Sequence, residues 1–344
     1  MKIGELDFGN EPLFLAPMED VTDASFRAVC KEYGADMVYT EFVSSDGLAH
    51  DSKKSFEKFL TYDKEAPIGI QIYGNLPDAM VDSARLAERA QELVGGHGAD
   101  VIDINFGCPV KKIAGRGAGS GMMKEPDKMV AITKAIVDAV KKPVTVKTRL
   151  GWDDNSKIIV ELAERLQDTG IKALTVHGRT RMQMYTGEAD WTLIGKIKEN
   201  PRMHIPIIGN GDINSPQKAR EAFDRYGVDA IMIGRATYGH PWIFREIKHY
   251  LATGEILPQM SVLERVALAK RHLALSLEFK GEKVGVLEMR RHLSCYFKGL
   301  PDFKETRLKL VTLTDPAEIY RTLDYVGEKW GASDAPQAKS IYED

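Results

Sequence analysis

The sequence predicts an α/β protein in which a (β/α)8 (TIM) barrel is followed by a smaller C-terminal helical domain. Two observations carry that expectation. Eight short Val/Ile/Leu-rich runs recur about 31 residues apart, the length of one βα unit. Beyond Gly254 such runs cease and only helical spacing remains.

The strands are expected, in order, at Leu13–Met18, Met37–Phe42, Ile68–Gly74, Val101–Phe106, Val144–Leu150, Leu174–Gly178, Ile205–Gly209 and Ala230–Gly234. None alternates strictly between apolar and polar residues, as suits parallel strands covered on both faces. Helical spacing fills the intervals, for example Met80, Ala84 and Ala87, or Ile159, Leu162, Ala163 and Leu166. A doubly wound sheet is the alternative. Against it, Leu15-Ala16-Pro17-Met18 runs into Glu19-Asp20 rather than into a Gly-rich dinucleotide turn. Ser261 and Glu264 form a capping box opening a helix over Val262–Phe279, which Gly281 closes. Further helices are expected near Val286–Phe297 and Pro316–Val326. The barrel is therefore assigned to 1–254, the helical domain to 255–330 and a loose tail to 331–344.

Composition limits the function classes. The net charge of −3 makes any nucleic-acid surface a local patch rather than a global bias. Three distant cysteines, Cys30, Cys108 and Cys295, argue against a disulfide framework and for a reducing, cytoplasmic setting. No apolar run reaches the ~20 residues of a membrane span, and the N-terminus has no signal-peptide core. The scattered histidines and the absence of paired cysteines predict no metal site. Nothing in the sequence sets the oligomeric state, a monomer being favoured.

In such a barrel the C-terminal strand ends line one mouth. Here they carry Pro17, Met18, Glu41, Gln71, Asn105, Lys147, Arg149, His177, Asn210, Gly234 and Arg235. The fourth strand runs into Asp103-Ile104-Asn105-Phe106-Gly107-Cys108-Pro109 and then a Gly-rich loop bearing Lys111, Lys112 and Arg116. A thiol on a mobile basic loop, where burial is not expected, suggests chemistry on a polyanion. Asn210-Gly211-Asp212 and Gly234-Arg235 close the last two strands, where such barrels bind phosphate; two ordinary turns are the alternative. Lys147, in an apolar strand, reads as a fixed cation for an anionic ring, as a Schiff-base lysine or as a snorkelling strand-end residue. His177 suits a ring or phosphate contact or simple packing, and Gln71 and Asn105 suit the polar edges of a heterocycle. Within 280–309, eight cations against four carboxylates, with Tyr296, Phe297 and Phe303 between them, resemble an RNA-binding surface that includes Arg290 and Arg291.

Taken together, Leu15-Ala16-Pro17-Met18, Asp103 to Pro109, Lys147-Thr148-Arg149-Leu150-Gly151, His177-Gly178-Arg179-Thr180, Asn210-Gly211-Asp212 and Gly234-Arg235-Ala236 resemble the tRNA-dihydrouridine synthases. Met289 to Leu293 with Tyr296 to Gly299 is similar to the helical domain of their bacterial B-type branch. The resemblance implies a flavoenzyme that reduces uridines in tRNA to 5,6-dihydrouridine with NADPH. It implies FMN at the barrel mouth, contacted by Ala16, Pro17, Met18, Gln71, Lys147 and His177, with its phosphate at Asn210, Gly211, Asp212, Gly234 and Arg235. Hydride would pass from FMN N5 to uracil C6 while the Cys108 thiol protonates C5. Asn105 and Arg149 would lie near the uracil, and Lys111, Lys112, Arg116, Arg290 and Arg291 would meet the RNA. Glu19-Asp20 depart from the family's usual Ala-Gly. The stretch Val94 to Gly98 reads as an insertion on the non-catalytic rim. A small-molecule FMN oxidoreductase and a non-catalytic RNA-binding protein are the competing readings.

Overall fold

A computed structural model describes residues 1–332 and divides into two compact units. The tail expected beyond residue 330 lies, from 333 onward, outside the described residues.

The first unit is an eight-stranded parallel barrel. Its strands are β1 (Leu13–Leu15), β2 (Val38–Tyr39), β3 (Ile68–Tyr73), β4 (Val101–Asn105), β5 (Val144–Arg149), β6 (Ala173–His177), β7 (Ile207–Asn210) and β8 (Ala230–Ile233). Each of the eight expected runs overlaps one strand, the sixth starting one residue earlier (Ala173) and the seventh ending one residue later (Asn210) than expected. Hydrogen bonding runs from β2 through β3 and on to β8, then to β1, and a parallel bridge between Phe14 and Met37 closes the circle. An N-terminal hairpin, Lys2–Ile3 with Leu6–Asp7, adds Ile3 to the cluster of Phe14, Val101, Ala173 and Ala230 at the strand starts. It fills the end of the barrel opposite the mouth. The stretch 94–98 lies on that same rim, just before β4. There His97 sits between Asp63 and Asp100, and Gly98 exchanges hydrogen bonds with Thr61.

Register decides what the mouth contains. Gln71 pairs with Asp103 and Asp103 with Thr145; Asn105 pairs with Lys147; Arg149 pairs with His177 and His177 with Asn210. Residues two apart on a strand share a face, so these positions form successive rungs inside the barrel.

The second unit is helical and takes in more than the segment after 254. It includes residues 23–34, with α1 (Ala24–Glu32), the short stretch 214–216, and the described residues from Arg235 on. Later come α2 (Ile243–Thr253), α3 (Val262–Tyr296), α4 (Lys304–Thr312) and α5 (Pro316–Trp330). Ser261 and Glu264 make the expected reciprocal cap of α3. Gly281, at φ 74° and ψ 172°, breaks α3 into two arms, which only a residue without a Cβ does cheaply. The core joins Ala28 and Val29 of α1 to Leu273, Met289, Leu293, Leu323 and Trp330. Beneath it lies a buried polar chain. Lys280 Nζ pairs with Asp23 at 2.9 Å, and Ser25 donates to Asp23 at 2.6 Å. His272 Nε2 lies 3.1 Å from Ser25 Oγ, and its Nδ1 lies 2.7 Å from the Tyr296 hydroxyl.

Candidate active site

The mouth is organised around a carboxylate the sequence reading passed over. Asp103 is 1% exposed and accepts from Gln71 Nε2 and from Thr145 Oγ1, each at 2.6 Å. Gln71 Oε1 then accepts from Asn105 Nδ2 at 2.8 Å. Asn105 Oδ1 in turn accepts the backbone N–H groups of Gly107 and Cys108, each at 2.9 Å. A carboxylate can only accept and a backbone N–H can only donate, so the two ends fix both amide orientations between them. The relay therefore sets the position of the Cys108 backbone from inside the barrel. Burial raises Asp103 to about 6, although Gln71, Thr145 and Lys147 favour its charged form. The signal was present: Asp103 stands two residues before Asn105, and Thr145 two before Lys147, on shared strand faces.

The thiol loop is folded rather than open, which corrects the expectation that Cys108 would be exposed on a flexible segment. Cys108 is 9% exposed. Its carbonyl accepts from the Ser120 N–H at 3.1 Å and the Ser120 hydroxyl at 2.8 Å. Gly119, at φ 55°, lies so close that a Cβ would meet Cys108 O at 3.0 Å and Cys108 Cβ at 3.1 Å. The glycines serve close packing here. Burial raises the thiol above its ordinary value, with a backbone hydrogen bond and the cations Arg149 and Lys147 acting the other way. At neutral pH Cys108 is a neutral thiol, the form that can donate a proton. Lys111, Lys112 and Arg116 of the same loop are exposed.

Lys147 is a cation without a counter-ion. Its ammonium makes no hydrogen bond or ion pair among the described residues. Burial and the neighbouring Arg149 push it down to about 8, against the pull of Asp103 and Cys108. Arg149, by contrast, is committed. It is 2% exposed and donates to Gly107 O at 2.7 Å, Thr180 O at 3.0 Å and Met184 O at 2.8 Å. It braces the loops after β4 and β6 against each other.

The Asn210-Gly211-Asp212 turn has φ 128° at Gly211 and 54° at Asp212. Asp212 is held by both terminal nitrogens of Arg179, at 2.9 and 2.8 Å, and by Ala189 N at 2.7 Å. Asn210 Nδ2 donates to Met232 O at 2.8 Å. Both side chains thus shape the turn, leaving its backbone to meet a ligand; Arg179, 2% exposed, is a second residue the sequence reading did not single out. A Cβ on Gly234 would rest against Ala16 and Met18 at 3.5 and 3.7 Å, so β8 ends against the 16–18 segment, with Pro17 and Met18 half-buried. His177 is buried, 6.5 Å in ring centroids from Tyr185. Glu19 pairs with Lys58 at 2.5 Å and Glu41 accepts from Asp20 N at 2.5 Å, which ties down the departing loop.

Ala16, Pro17, Met18, Gln71, Asn105, Cys108, Lys147, Arg149, His177, Asn210 to Asp212 and Gly234 thus belong to the barrel unit. Arg235 opens a 3-10 turn of the helical unit, which also holds Arg290 and Arg291. Tyr296, Phe297 and Phe303 are buried core residues, not surface aromatics between cations. Lys280 is paired with Asp23 and Glu288, and Arg290 donates to Thr312 O and Leu313 O. Charges counted along a chain cannot show which helix face they occupy. Among the described residues no cluster of three His, Cys, Asp or Glu could hold a metal, and no helix is long and apolar enough to cross a membrane.

The Asp103 relay makes a prediction. Asp103→Leu leaves two buried donors unpaired and should speed alkylation of Cys108 by iodoacetamide, mapped by peptide mass spectrometry. Asp103→Asn, which still accepts from Gln71, should stay close to wild type. Equal rates in all three proteins would show that the relay does not hold the loop.

Comparison with known proteins gives one consistent result. The family profile described as Dihydrouridine synthase (Dus) matches residues 14–329. A tRNA-dihydrouridine synthase B of Pseudomonas aeruginosa is 44% identical over 315 residues, covering 92% of this chain and 92% of its own. A probable tRNA-dihydrouridine synthase of Rickettsia conorii is 40% identical over 320 residues, covering 93% of this chain and 94% of its own. In fold, the chain is similar to a morphinone reductase variant solved with tetrahydroNAD (TM-score 0.52, 11% identity, 74% of this chain and 89% of that one). It is equally similar to an old yellow enzyme homologue from Zymomonas mobilis (TM-score 0.52, 13% identity, 75% of this chain and 93% of that one).

Proposed function

The chain belongs to the dihydrouridine synthase family, and from that premise we propose that it reduces selected uridines of tRNA to 5,6-dihydrouridine with FMN and NADPH. The observation that carries this reading is Lys147, a cation with no hydrogen bond or ion pair among the described residues, near enough to Cys108 for each to influence the other's charge. An unpaired cation in such a setting is costly unless an anionic ligand meets it. The donor set fits a flavin: the Lys147 ammonium for the electron-rich edge of the ring, the Gln71 and Asn105 amides, His177, and the Asn210–Asp212 backbone turn with Gly234 and Arg235 for the phosphate. Ala16, Pro17 and Met18 supply an apolar wall.

A flavin held by these residues would provide the hydride for uracil C6, with NADPH as the source. Cys108 delivers the proton to C5, and its raised thiol pKa draws a proton back from solvent to reset the acid. Asn105 aims the Cys108 backbone, and Arg149 keeps the loops after β4 and β6 at fixed spacing. Lys111, Lys112 and Arg116 would meet phosphates as the base enters, and Arg290 and Arg291 would extend the RNA contact.

The test is anaerobic. NADPH should bleach the flavin absorbance of the loaded protein, and unmodified tRNA should restore it, whereas tRNA already carrying dihydrouridine should not. Reoxidation by a free pyrimidine but not by tRNA would overturn the proposal in favour of a small-molecule oxidoreductase. Lys147→Met should weaken FMN binding roughly 10-fold or more, as expected for loss of a charged hydrogen bond; unchanged affinity would remove Lys147 from the flavin site.

A further inference from the structure

Beside the mouth, two cations converge on one aromatic ring. Lys124 Nζ lies 3.7 Å from the centroid of the Trp152 ring, and Arg181 Cζ lies 4.8 Å from it. Neither is paired with a carboxylate among the described residues. Arg181 Nε is buried without a hydrogen-bond partner, and its Nη1 meets only the Met182 sulfur at 3.3 Å. The three residues follow β4, β5 and β6 in turn, so they belong to the rim that carries Cys108.

The ledge is built, not incidental. Arg181 N donates to Gly151 O at 3.0 Å and Met182 N to Trp152 O at 2.9 Å, which zips the loops after β5 and β6 together. Lys124 ends a 3-10 helix whose Met123 sulfur accepts from Thr148 Oγ1 at 3.1 Å, which ties it to β5 as well. A ring face attracts cations without neutralising them. Two like charges held side by side with no counter-ion repel each other until an anion arrives.

We propose that Lys124, Trp152 and Arg181 form a phosphate clasp that holds the RNA strand next to the nucleotide entering the mouth. The inference rests on the tRNA reading above and deepens it by adding a backbone contact on the barrel itself. An RNA strand is favoured over a free phosphate because the ledge is open and continues along Met182, 56% exposed. Phosphodiester and adjoining sugar edge together match a surface that alternates cation and apolar side chain.

The experiment measures tRNA binding against salt concentration for the flavin-loaded protein. The variant Lys124→Gln with Arg181→Gln should bind about 10-fold more weakly near physiological salt. Its slope of log affinity against log salt should shrink by about 1.4, at about 0.7 for each single-strand phosphate lost. Trp152→Leu, which keeps both charges but frees them, should weaken binding with little change in slope. Lys141→Gln with Lys142→Gln, on the opposite rim, should behave as wild type. Unchanged affinity and slope in the Lys124/Arg181 variant, with wild-type binding intact, would overturn the clasp alone. Loss of NADPH affinity instead of tRNA affinity would reassign it to the dinucleotide. Absence of salt-dependent tRNA binding by the wild-type protein would sink the parent reading first.

Discussion

Replacing Cys108 by alanine should slow uridine reduction by roughly 10²–10⁴-fold, the usual contribution of a positioned acid. Bound flavin, its reduction by NADPH and tRNA affinity should all remain. The state of the thiol matters as much as its place. Burial keeps it protonated, while Asn105 and Ser120 hold its backbone on both sides. A nucleophilic cysteine would need the opposite shift. Single-turnover mixing of reduced Cys108→Ala protein with tRNA separates the steps: a slow decay of reduced flavin with normal prior reduction is the expected trace. Wild-type decay would place the proton source elsewhere.

Acid should unfold the helical unit before the barrel. His272 is held neutral by burial, down to about 4, although Asp23 favours its charge. Ser25 gives its own proton to Asp23, so Nε2 carries a proton toward Ser25 Oγ, and burial is what keeps a second proton off Nδ1 beside Tyr296. The unfolded chain binds a proton near 6.5, so between there and about 4 it carries more protons than the native state. Stability is therefore complete above about 6.5 and falls as pH drops, by about 3 kcal/mol in all. Asp23 acts in the same direction. Burial opposes its charge, but Lys280 holds it well below the ordinary carboxylate range, so its contribution is lost on further acidification. His292, buried against Phe26 with no hydrogen-bond partner on either ring nitrogen, adds to the cost of protonation. Asp23→Ala should destabilise the unit by about 3 kcal/mol, because it removes the cap of α1 and leaves the Lys280 ammonium with Glu288 as its remaining carboxylate. Urea unfolding followed by hydrogen exchange of α3 and α5 at pH 7.5 and 5 reads both effects. A flat pH profile in wild type would show that His272 is not neutral in the folded unit.

The barrel was legible because parallel strands buried on both faces leave continuous apolar runs. The capping box and Gly281 were legible because they are local. What escaped depends on register and facing. Asp103 looked like one polar residue in an apolar strand until pairing with Gln71 and Thr145 set it inside the barrel. Arg149 stands near the uracil on the family resemblance alone, and its three bonds to carbonyls of two loops were invisible in the sequence because they depend on how those loops fold. Glycines read as flexibility around Cys108 serve close packing instead: Gly119 lies against the Cys108 carbonyl and Cβ, and Gly121 against the Ala114 backbone. Tyr296, Phe297 and Phe303 read as surface because cations flank them in sequence, whereas the helix turns them into the core. Trp152, Lys124 and Arg181 sit on three separate loops, and no linear pattern joins them.

Reduction of uridine within tRNA, at the mouth around Lys147 and Cys108, can be read directly. The most direct measurement is nucleoside mass spectrometry of tRNA from cells that lack dihydrouridine, after incubation with the protein, FMN and NADPH. A uridine that gains two hydrogens with wild-type protein, and far more slowly with Cys108→Ala, is the predicted result. NADPH oxidation by flavin-loaded protein with no such gain in any tRNA would contradict the account.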